Sequence, residues 1–315
     1  MLNQGFFYII SYMSGLDFQP VQITDYDRVY KYTSAYGENS CQHSPVSMYS
    51  HSEKYDDCVC ISDGFLYTLR KGLCDDEYRV YLAPFGEGDL KEAYQSIIDD
   101  AHKYGKKVRF VTLTQKHLDK VEEFFPDMFD AVQDRDMSEY IYESKNMGTF
   151  AGGKLAKRRA EVHRFYNIFG RRACITRMKE EDIPGVLDFE EQWVKDNLDT
   201  HDAETIIEEE KMIKKQLEDF EDLHLIGAIL WIDGVMKGFC YGTMVNEHCY
   251  DVIVEKGVRT EPHVYKVIRM ESTRMLLGDD DYVNMEEDVG DPGLRSIKSA
   301  YKPDILLHKF VVTER

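Results

Sequence analysis

The pattern that most constrains this chain is an order of hydrophobic segments that occurs twice. In residues 21–142 a short strand and an amphipathic helix precede a hairpin around Asp63–Gly64, which is followed by strands and further helices. Residues 173–312 give the same order around a second hairpin at Asp233–Gly234. Apolar side chains alternate in strands and recur every three or four residues in helices, so each period predicts its element, and Asp-Gly between strands predicts a tight turn. Because two successive segments of the chain show the same order of strands and helices, we predict a tandem duplication.

The shared order is β-α-(α)-β-β-β-α-β-α-β, which is the order of a GNAT-like (acyl-CoA N-acyltransferase) fold. We therefore predict an α+β (mixed α/β) protein with a tandem duplicated GNAT-like fold, in which two twisted mixed sheets are flanked by helices. The predicted divisions are an N-terminal extension (1–16), a first GNAT-like domain (17–145), a basic connector helix (146–172) and a second GNAT-like domain (173–315).

The charge of the chain limits its partners. Its 58 acidic and 39 basic residues give a formal net charge of −19, which repels bulk nucleic acid and anionic lipid at long range. The connector is the exception, because Glu161 alone opposes its basic side chains between positions 154 and 172. These are Lys154, Lys157, Arg158, Arg159, Arg164, Arg171 and Arg172. Two interpretations stay open: a solvated amphipathic helix, or a surface that contacts phosphates.

The cysteines predict free thiols in a reducing compartment, because their number is odd and no CxxC occurs. The seven are Cys41, Cys58, Cys60, Cys74, Cys174, Cys240 and Cys249. Several lie close in sequence to histidines, but their spacing matches no standard zinc pattern. We therefore predict no metal site.

The strongest local pattern is a strand that enters an acidic loop and then a short helix, at residues 284–303. Its alternating polar residues could face one way if the strand continues, and its two basic residues lie three apart on one helical face. Such a group could anchor a substrate ammonium or supply a base; equally, it could be an ion-pair network that fixes helix to strand. The predicted catalytic residues are Glu286, Asp288, Arg295 and Lys298, with Asn284 as a substrate-binding residue.

A second candidate is the strand end Val254–Gly257, where a GNAT-like sheet splays open to admit an acyl donor. We place Lys256 near the donor carbonyl. An acyl-CoA pyrophosphate normally rests on a glycine-rich loop at a helix N-terminus, and residues 257–262 lack that loop. The first half offers Gly86-Glu87-Gly88, whose acidic neighbours disfavour phosphate. Acyl-CoA is therefore the alternative donor.

Three stretches of the chain resemble the soluble C-terminal domain family of phosphatidylglycerol lysyltransferase. They are Tyr140–Tyr142 with the basic segment 153–159, the strand end Val254–Lys256, and residues 284–303. The resemblance runs from about Asp17 to the end of the chain. It implies a tandem GNAT-like fold, related to the Fem-type aminoacyltransferases, which moves an aminoacyl group from a charged tRNA to a lipid head group or a peptide amine.

The resemblance also implies partners. Lys154, Lys157 and Arg158 would meet the acceptor end of the tRNA, and the acidic cluster would hold the aminoacyl ammonium group. No tightly bound cofactor is expected; the donor is aminoacyl-tRNA or acyl-CoA, and the acceptor is an amine or hydroxyl such as a lipid head group. The alternatives are an acyl-CoA-dependent N-acyltransferase and a non-catalytic binding or regulatory protein that kept the duplicated fold.

The expected location follows from hydropathy. The lysyltransferases carry a membrane region ahead of the soluble domain, whereas no apolar run here approaches the roughly 20 residues that a membrane helix needs. We expect a cytoplasmic protein, or one bound peripherally at the inner membrane face.

Overall fold

The computed structural model of the chain describes residues 15–198 and 203–315. Most of the predicted extension, residues 1–14, lies outside the described residues. The strands are β1 (Gln19–Pro20), β2 (Asp57–Ser62), β3 (Phe65–Arg70), β4 (Tyr78–Tyr81), β5 (Phe85–Gly86), β6 (Lys107–Leu113), β7 (Phe129–Glu143), β8 (Ala173–Arg177), β9 (Ile226–Ile232), β10 (Val235–Asn246), β11 (Cys249–Gly257), β12 (Tyr282–Asn284) and β13 (Ile305–Glu314).

Helices cover both faces of these strands. They are α1 (Tyr26–Tyr36), α2 (Pro45–Ser50), α3 (Ser52–Tyr55), α4 (Leu90–Lys103), α5 (Gln115–Phe124), α6 (Ser144–Thr149), α7 (Ala156–Phe169), α8 (Ile183–Asn197), α9 (Ala203–Glu218), α10 (Val264–Leu276) and α11 (Pro292–Ala300). Across 15–198 and 203–315, none of them has both the length and the apolar character required to span a bilayer.

Local sequence chemistry explains several element boundaries. Asp63 and Gly64 have φ of 51° and 84°, and the second Asp-Gly pair has 53° and 75°, so both predicted hairpins turn through the left-handed region. Asp291 caps α11, because its carboxylate accepts a hydrogen bond from the Leu294 N–H at 2.6 Å. The short strand predicted to begin at residue 21 lies earlier, at Gln19–Pro20. Beyond it the Asp25 carboxylate accepts a hydrogen bond from the Gln22 N–H at 2.9 Å, and a 3-10 turn begins at Ile23.

The described strands form one continuous sheet in the order β1-β2-β3-β4-β6-β13-β7-β12-β11-β10-β9-β8, with β5 paired to β3. The predicted mixed α+β fold with flanking helices is confirmed. The two expected sheets are joined, because β7 and β13 are long strands that pair on both sides. β13, from the second half, lies between β6 and β7 of the first half, while β7 also pairs with β12 of the second.

A buried ion pair fixes the point where the halves exchange strands. The Lys309 ammonium on β13 lies 2.7 Å from the Glu139 carboxylate on β7, and both side chains are fully buried. Glu139 also accepts hydrogen bonds from the Ser40 hydroxyl, the Cys41 N–H and the Asn284 amide. Burial alone would raise the pKa of Glu139, but Lys309 and these donors hold it below its ordinary value. Glu139 is therefore ionised and depends on its partners.

We predict that Lys309→Met destabilises the protein by about 3–5 kcal/mol, because it leaves the buried Glu139 carboxylate without its cation. Urea unfolding followed by circular dichroism measures the loss. Lys195→Met is the control: it removes a lysine from an exposed pair with Glu191 and should leave the free energy of unfolding nearly unchanged. Equal losses in the two variants would contradict the importance of the buried pair.

Candidate functional site

The site begins where two parallel strands separate. β11 and β12 pair at Cys249↔Tyr282, Tyr250↔Val283 and Asp251↔Asn284. Beyond this register β11 continues to Gly257 beside β10, whereas the chain after β12 turns away through Glu286, whose φ is 57°. A non-glycine residue in this left-handed conformation costs free energy that the surrounding contacts must offset. The separation opens a cleft along the edge of β11, where the sequence predicted the sheet to splay.

The cleft has a volume of about 610 Å³ and lies between β11, α10, α11 and α7. Among the described residues, six basic side chains line it against three acidic ones, Glu209, Glu255 and Glu286, in a chain whose net charge is −19. The basic residues are Arg158, Lys256, Arg259, Lys266, Arg269 and Lys298. A concave, basic surface attracts anionic ligands more strongly than the rest of this acidic protein does.

Lys256 is held in place on the floor of the cleft. Its ammonium lies 2.5 Å from the Glu209 carboxylate, 3.7 Å from Glu190, and 3.7 Å from the centre of the Trp193 ring. Burial raises the pKa of Glu190 to about 7, although the Lys256 charge opposes this. The cation is thus fixed by a carboxylate, an aromatic face and a second carboxyl group that titrates near neutral pH.

Two arginines meet on one aromatic ring in the cleft wall. The Arg269 guanidinium lies 4.4 Å from the Tyr301 ring centre and pairs with Glu255 through bonds of 2.6 and 3.1 Å. Arg158, on the basic helix α7, lies 5.2 Å from the same ring and 3.2 Å from Glu161. The predicted connector therefore contributes a side chain directly to the cleft.

A group of buried carboxyls lies behind the cleft, and Glu286 connects the two. Burial, reinforced by the Glu287 charge, raises the pKa of Glu286 well above its ordinary value, and Lys298 opposes the shift. Burial and neighbouring carboxylates likewise raise the pKa of Asp251 and of Glu287. The Lys298 ammonium donates to the Glu287 carbonyl. These carboxyls keep their protons at a pH where surface carboxyls are ionised.

Asp288 has a different environment from Glu286. Its buried carboxylate accepts two bonds from Arg295, at 2.6 and 2.9 Å, and others from the Tyr140 hydroxyl, Arg135 and the Gly290 N–H. Burial alone would raise the pKa of Asp288, but these donors hold it well below its ordinary value. The geometry favours a structural role for the Asp288–Arg295 pair, which fixes the loop that carries Glu286.

The remaining predicted residues support or border the cleft. Asn284 is buried; its amide donates to Glu139, and its oxygen accepts from the Glu286 N–H at 2.7 Å. Lys157 is exposed in the first turn of α7, and Lys154 is exposed just before the helix begins. Of the predicted site residues within the described chain, the cleft lining brings together Glu286, Lys298, Lys256 and Arg158. Their catalytic and binding roles stay predictions.

Sequence reasoning missed the partners that hold Lys256. Glu190 and Trp193 lie on the apolar stripe of α8, and Glu190 is 2% exposed. A glutamate at a stripe position was the available signal, because a charged residue is seldom fully buried without a partner. Glu209 gave no such signal, since α9 carries many acidic residues and the fold alone selects the one near Lys256.

Gly86 and Gly88, the two glycines of the candidate phosphate loop, allow close packing against the first hairpin. Gly86 pairs with Phe65, and a side-chain carbon there would lie 2.1 Å from the Gly64 carbonyl oxygen. A side-chain carbon on Gly88, whose φ is 142°, would lie 3.0 Å from the Phe65 ring. The Gly86-Glu87-Gly88 segment is thus pressed against the first hairpin, and this geometry favours a structural role over phosphate binding.

The model of the family "Phosphatidylglycerol lysyltransferase, C-terminal" matches residues 35–313. The chain belongs to this family. A conserved protein of unknown function from Bacteroides thetaiotaomicron is similar, with a TM-score of 0.88 and 27% identity over 95% of this chain and 100% of that one.

Two lysylphosphatidylglycerol synthetase structures share the fold of this lysyltransferase-family chain. L-PGS from Bacillus licheniformis has a TM-score of 0.64 at 13% identity over 94% of this chain and 93% of that one. A C-terminal domain assigned to the synthetase of Agrobacterium fabrum has a TM-score of 0.63 at 15% identity, over 93% of this chain and 92% of that one. An uncharacterized Mycoplasmoides gallisepticum protein is 24% identical over 173 residues, 55% of each chain, so the match spans about half of that relative. Family and fold point to acyl transfer.

We predict that Glu190→Gln changes the pH dependence of stability. The pKa of Glu190 is about 7 in the folded protein, against an ordinary 4.5. Because the folded state binds this proton more tightly than the unfolded state, the group makes stability fall as pH rises from about 4.5 to about 7. Relative to wild type, the variant should gain up to about 3 kcal/mol over that interval.

Urea unfolding at pH 4, 6 and 8 measures this gain. Glu191→Gln is the matched control, because its side chain is exposed on the same helix and its substitution should give no comparable pH-dependent gain. A difference between Glu190→Gln and wild type that stays constant from pH 4 to pH 8 would contradict the raised pKa.

Proposed function

We propose that this protein transfers an aminoacyl group from aminoacyl-tRNA to an amine or hydroxyl acceptor, such as a lipid head group. The observation that carries the proposal is the basic cleft at the separation of β11 and β12, in a chain that is acidic overall. The family name describes lysyl transfer to phosphatidylglycerol, which supports the same class of reaction.

The connector supports a tRNA donor. Arg158 lines the cleft, and the exposed Lys154 and Lys157 extend the positive surface outward along α7. The acceptor end of a tRNA is a single strand with one phosphate per nucleotide and a terminal adenine. Basic side chains beside exposed aromatic faces suit such a strand, and Trp193 and Tyr265 supply aromatic rings in the cleft lining.

The reaction needs a base and a stabilised oxyanion. The acceptor oxygen or nitrogen attacks the aminoacyl ester carbon, a new bond forms there, and the bond from that carbon to the ribose oxygen breaks. Glu286 in its ionised form takes the acceptor proton and returns it to the leaving ribose oxygen; its raised pKa makes it a stronger base than a surface carboxylate. Lys256 and Lys298 stabilise the negative charge that develops on the carbonyl oxygen.

Exposed apolar side chains at the cleft support a lipid acceptor. Leu294 and Ile297 line the cleft from α11 and are 41% and 51% exposed, and the nearby Val289 is 63% exposed. Apolar surface that stays in contact with water is commonly a binding surface. A lipid would place its head group near Glu286 and its first methylene groups against Leu294 and Ile297.

A transfer assay tests the proposed reaction. The protein is incubated with tRNA carrying a radiolabelled amino acid, lysine first, and with phosphatidylglycerol vesicles or small amines; label in the organic or amine fraction is counted. We expect transfer by wild type. Glu286→Gln and Lys256→Met should each reduce the rate at least about 100-fold, since they remove the base and an oxyanion-stabilising cation.

Lys237→Met is the matched control, because this partly buried lysine on the neighbouring β10 pairs with Glu261 and lies outside the cleft lining; it should transfer at the wild-type rate. Label transferred from acetyl-CoA but not from aminoacyl-tRNA would replace the proposal with acyl-CoA-dependent transfer. Binding of tRNA without any transfer would favour the non-catalytic alternative.

We also predict that replacing Lys154 and Lys157 together with Ala weakens tRNA binding and flattens its salt dependence. If each lysine contacts one phosphate, the slope of log K against log salt falls by about 1.4. Filter binding between 50 and 300 mM salt measures it. Lys116→Ala with Lys120→Ala on α5 is the control, and an unchanged slope in the α7 variant would assign that helix a structural role.

A further inference from the structure

The buried acidic group behind the cleft contains a set of atoms suited to a metal ion. The Cys41 sulfur and one carboxylate oxygen from each of Asp251 and Glu286 all lie within 4.8 Å of one another. Cys41 and Asp251 are 2% exposed, and Glu286 is half-buried at the cleft. The three come from separate segments: the 3-10 turn before α2, the last residue of β11 that pairs with β12, and the turn after β12.

Asp251 carries an unsatisfied carboxylate oxygen within this set. Its side chain is almost completely buried, and among the described residues its Oδ1 atom has no hydrogen-bond donor. An unsatisfied carboxylate oxygen in a protein interior is costly. Asp251 lies in the register position opposite Asn284, so it is at the point where the strands separate.

The charges around Asp251 are also unbalanced. Four carboxyls, those of Glu139, Asp251, Glu286 and Glu287, influence one another. The Lys309 cation pairs with Glu139 at 2.7 Å. The Lys298 charge acts on the other three carboxyls, those of Asp251, Glu286 and Glu287. Four carboxyl groups thus face two lysine cations, and this excess of acidic groups attracts a further cation.

We propose that Cys41, Asp251 and Glu286 bind a divalent transition-metal ion of borderline softness, with Zn²⁺ as the best fit. A thiolate with two carboxylates suits Zn²⁺, whereas Mg²⁺ and Ca²⁺ prefer sites made of oxygen alone. Three protein ligands leave a coordination position for water or substrate, and Glu286 is the ligand residue that also lines the cleft.

Neighbouring groups hold these ligands in place. The Cys41 N–H donates to Glu139 at 3.0 Å, which fixes the backbone that carries the thiol. The Glu286 N–H donates to Asn284 at 2.7 Å, and Gln42 donates to Glu287 at 2.9 Å. Outer partners of this kind orient metal ligands and raise affinity. Local spacing could not reveal the set, because Cys41 and Asp251 lie 210 positions apart.

The inference does not depend on the proposed reaction. The test below measures metal binding and not transfer, so a failure of the metal site and a failure of the aminoacyl-transfer proposal give different results.

Cobalt binding provides the test. The full chain is stripped with a chelator and titrated with CoCl₂; a Cys41 thiolate bound to Co²⁺ produces a thiolate-to-cobalt charge-transfer band in the near ultraviolet. We expect the band to saturate at about one equivalent and to disappear when ZnSO₄ is added. Cys41→Ser should abolish the band, and Glu286→Gln should weaken cobalt binding at least about tenfold.

Two controls match these variants. Cys240→Ser replaces another buried thiol, and Glu190→Gln replaces another buried carboxyl with a raised pKa; both should keep the band. Absence of the band in wild type with a native circular dichroism spectrum would overturn the inference, as would a band that survives in Cys41→Ser. Because the first of these outcomes needs no variant, a misfolded mutant cannot hide the result.

Discussion

The structure depends on one interruption of strand pairing. β11 and β12 are parallel neighbours up to Asp251↔Asn284, and then the chain turns through the left-handed Glu286. Two contacts maintain the turn. The Asn284 side-chain oxygen accepts a hydrogen bond from the Glu286 N–H, and Asp288 pairs with Arg295 just after the turn. Because these contacts stop the pairing at this position, the edge of β11 is open and a cleft forms. Lys256, Glu286 and Lys298 line this opening.

The exchange of strands between the halves places this opening in a rigid frame. β7 and β13 each pair with strands of both halves, so the sheet runs without a break across the chain. The Glu139–Lys309 pair lies within this seam, and Glu139 also contacts Asn284 at the end of β12. Glu139 therefore links the buried ion pair of the seam to the end of β12, and a substitution at Lys309 should alter the position of Asn284 beside the cleft. A preorganised site of this kind supports catalysis by positioning and electrostatics.

Local patterns predicted much of the fold and part of the site. The Asp-Gly hairpins and the short helix after the acidic loop follow from residue types at short range, so one sequence is enough to find them. The splay near Lys256 is expected from the GNAT-like order of elements. The strand exchange could not be predicted, because it depends on which long strands pair across the halves. The same holds for Glu209 beside Lys256 and for the Cys41 cluster, whose members meet only in three dimensions. Alternation would have put Glu286 and Asp288 on one face only if the strand continued, but β12 ends at Asn284 and the chain turns at Glu286. The sequence therefore could not separate the carboxyl at the cleft from the one that accepts five hydrogen bonds.

In the proposed reaction, the cleft beside β11 receives the acyl donor. A crystal structure of the protein with a hydrolysis-resistant 3′-aminoacylamino-3′-deoxyadenosine, which mimics the end of a charged tRNA, tests it most directly. We expect the acyl carbonyl of the analogue between Lys256, Lys298 and Glu286, with the adenosine directed toward Arg158. An analogue bound elsewhere on the protein, with the cleft unfilled at saturating concentration, would contradict it.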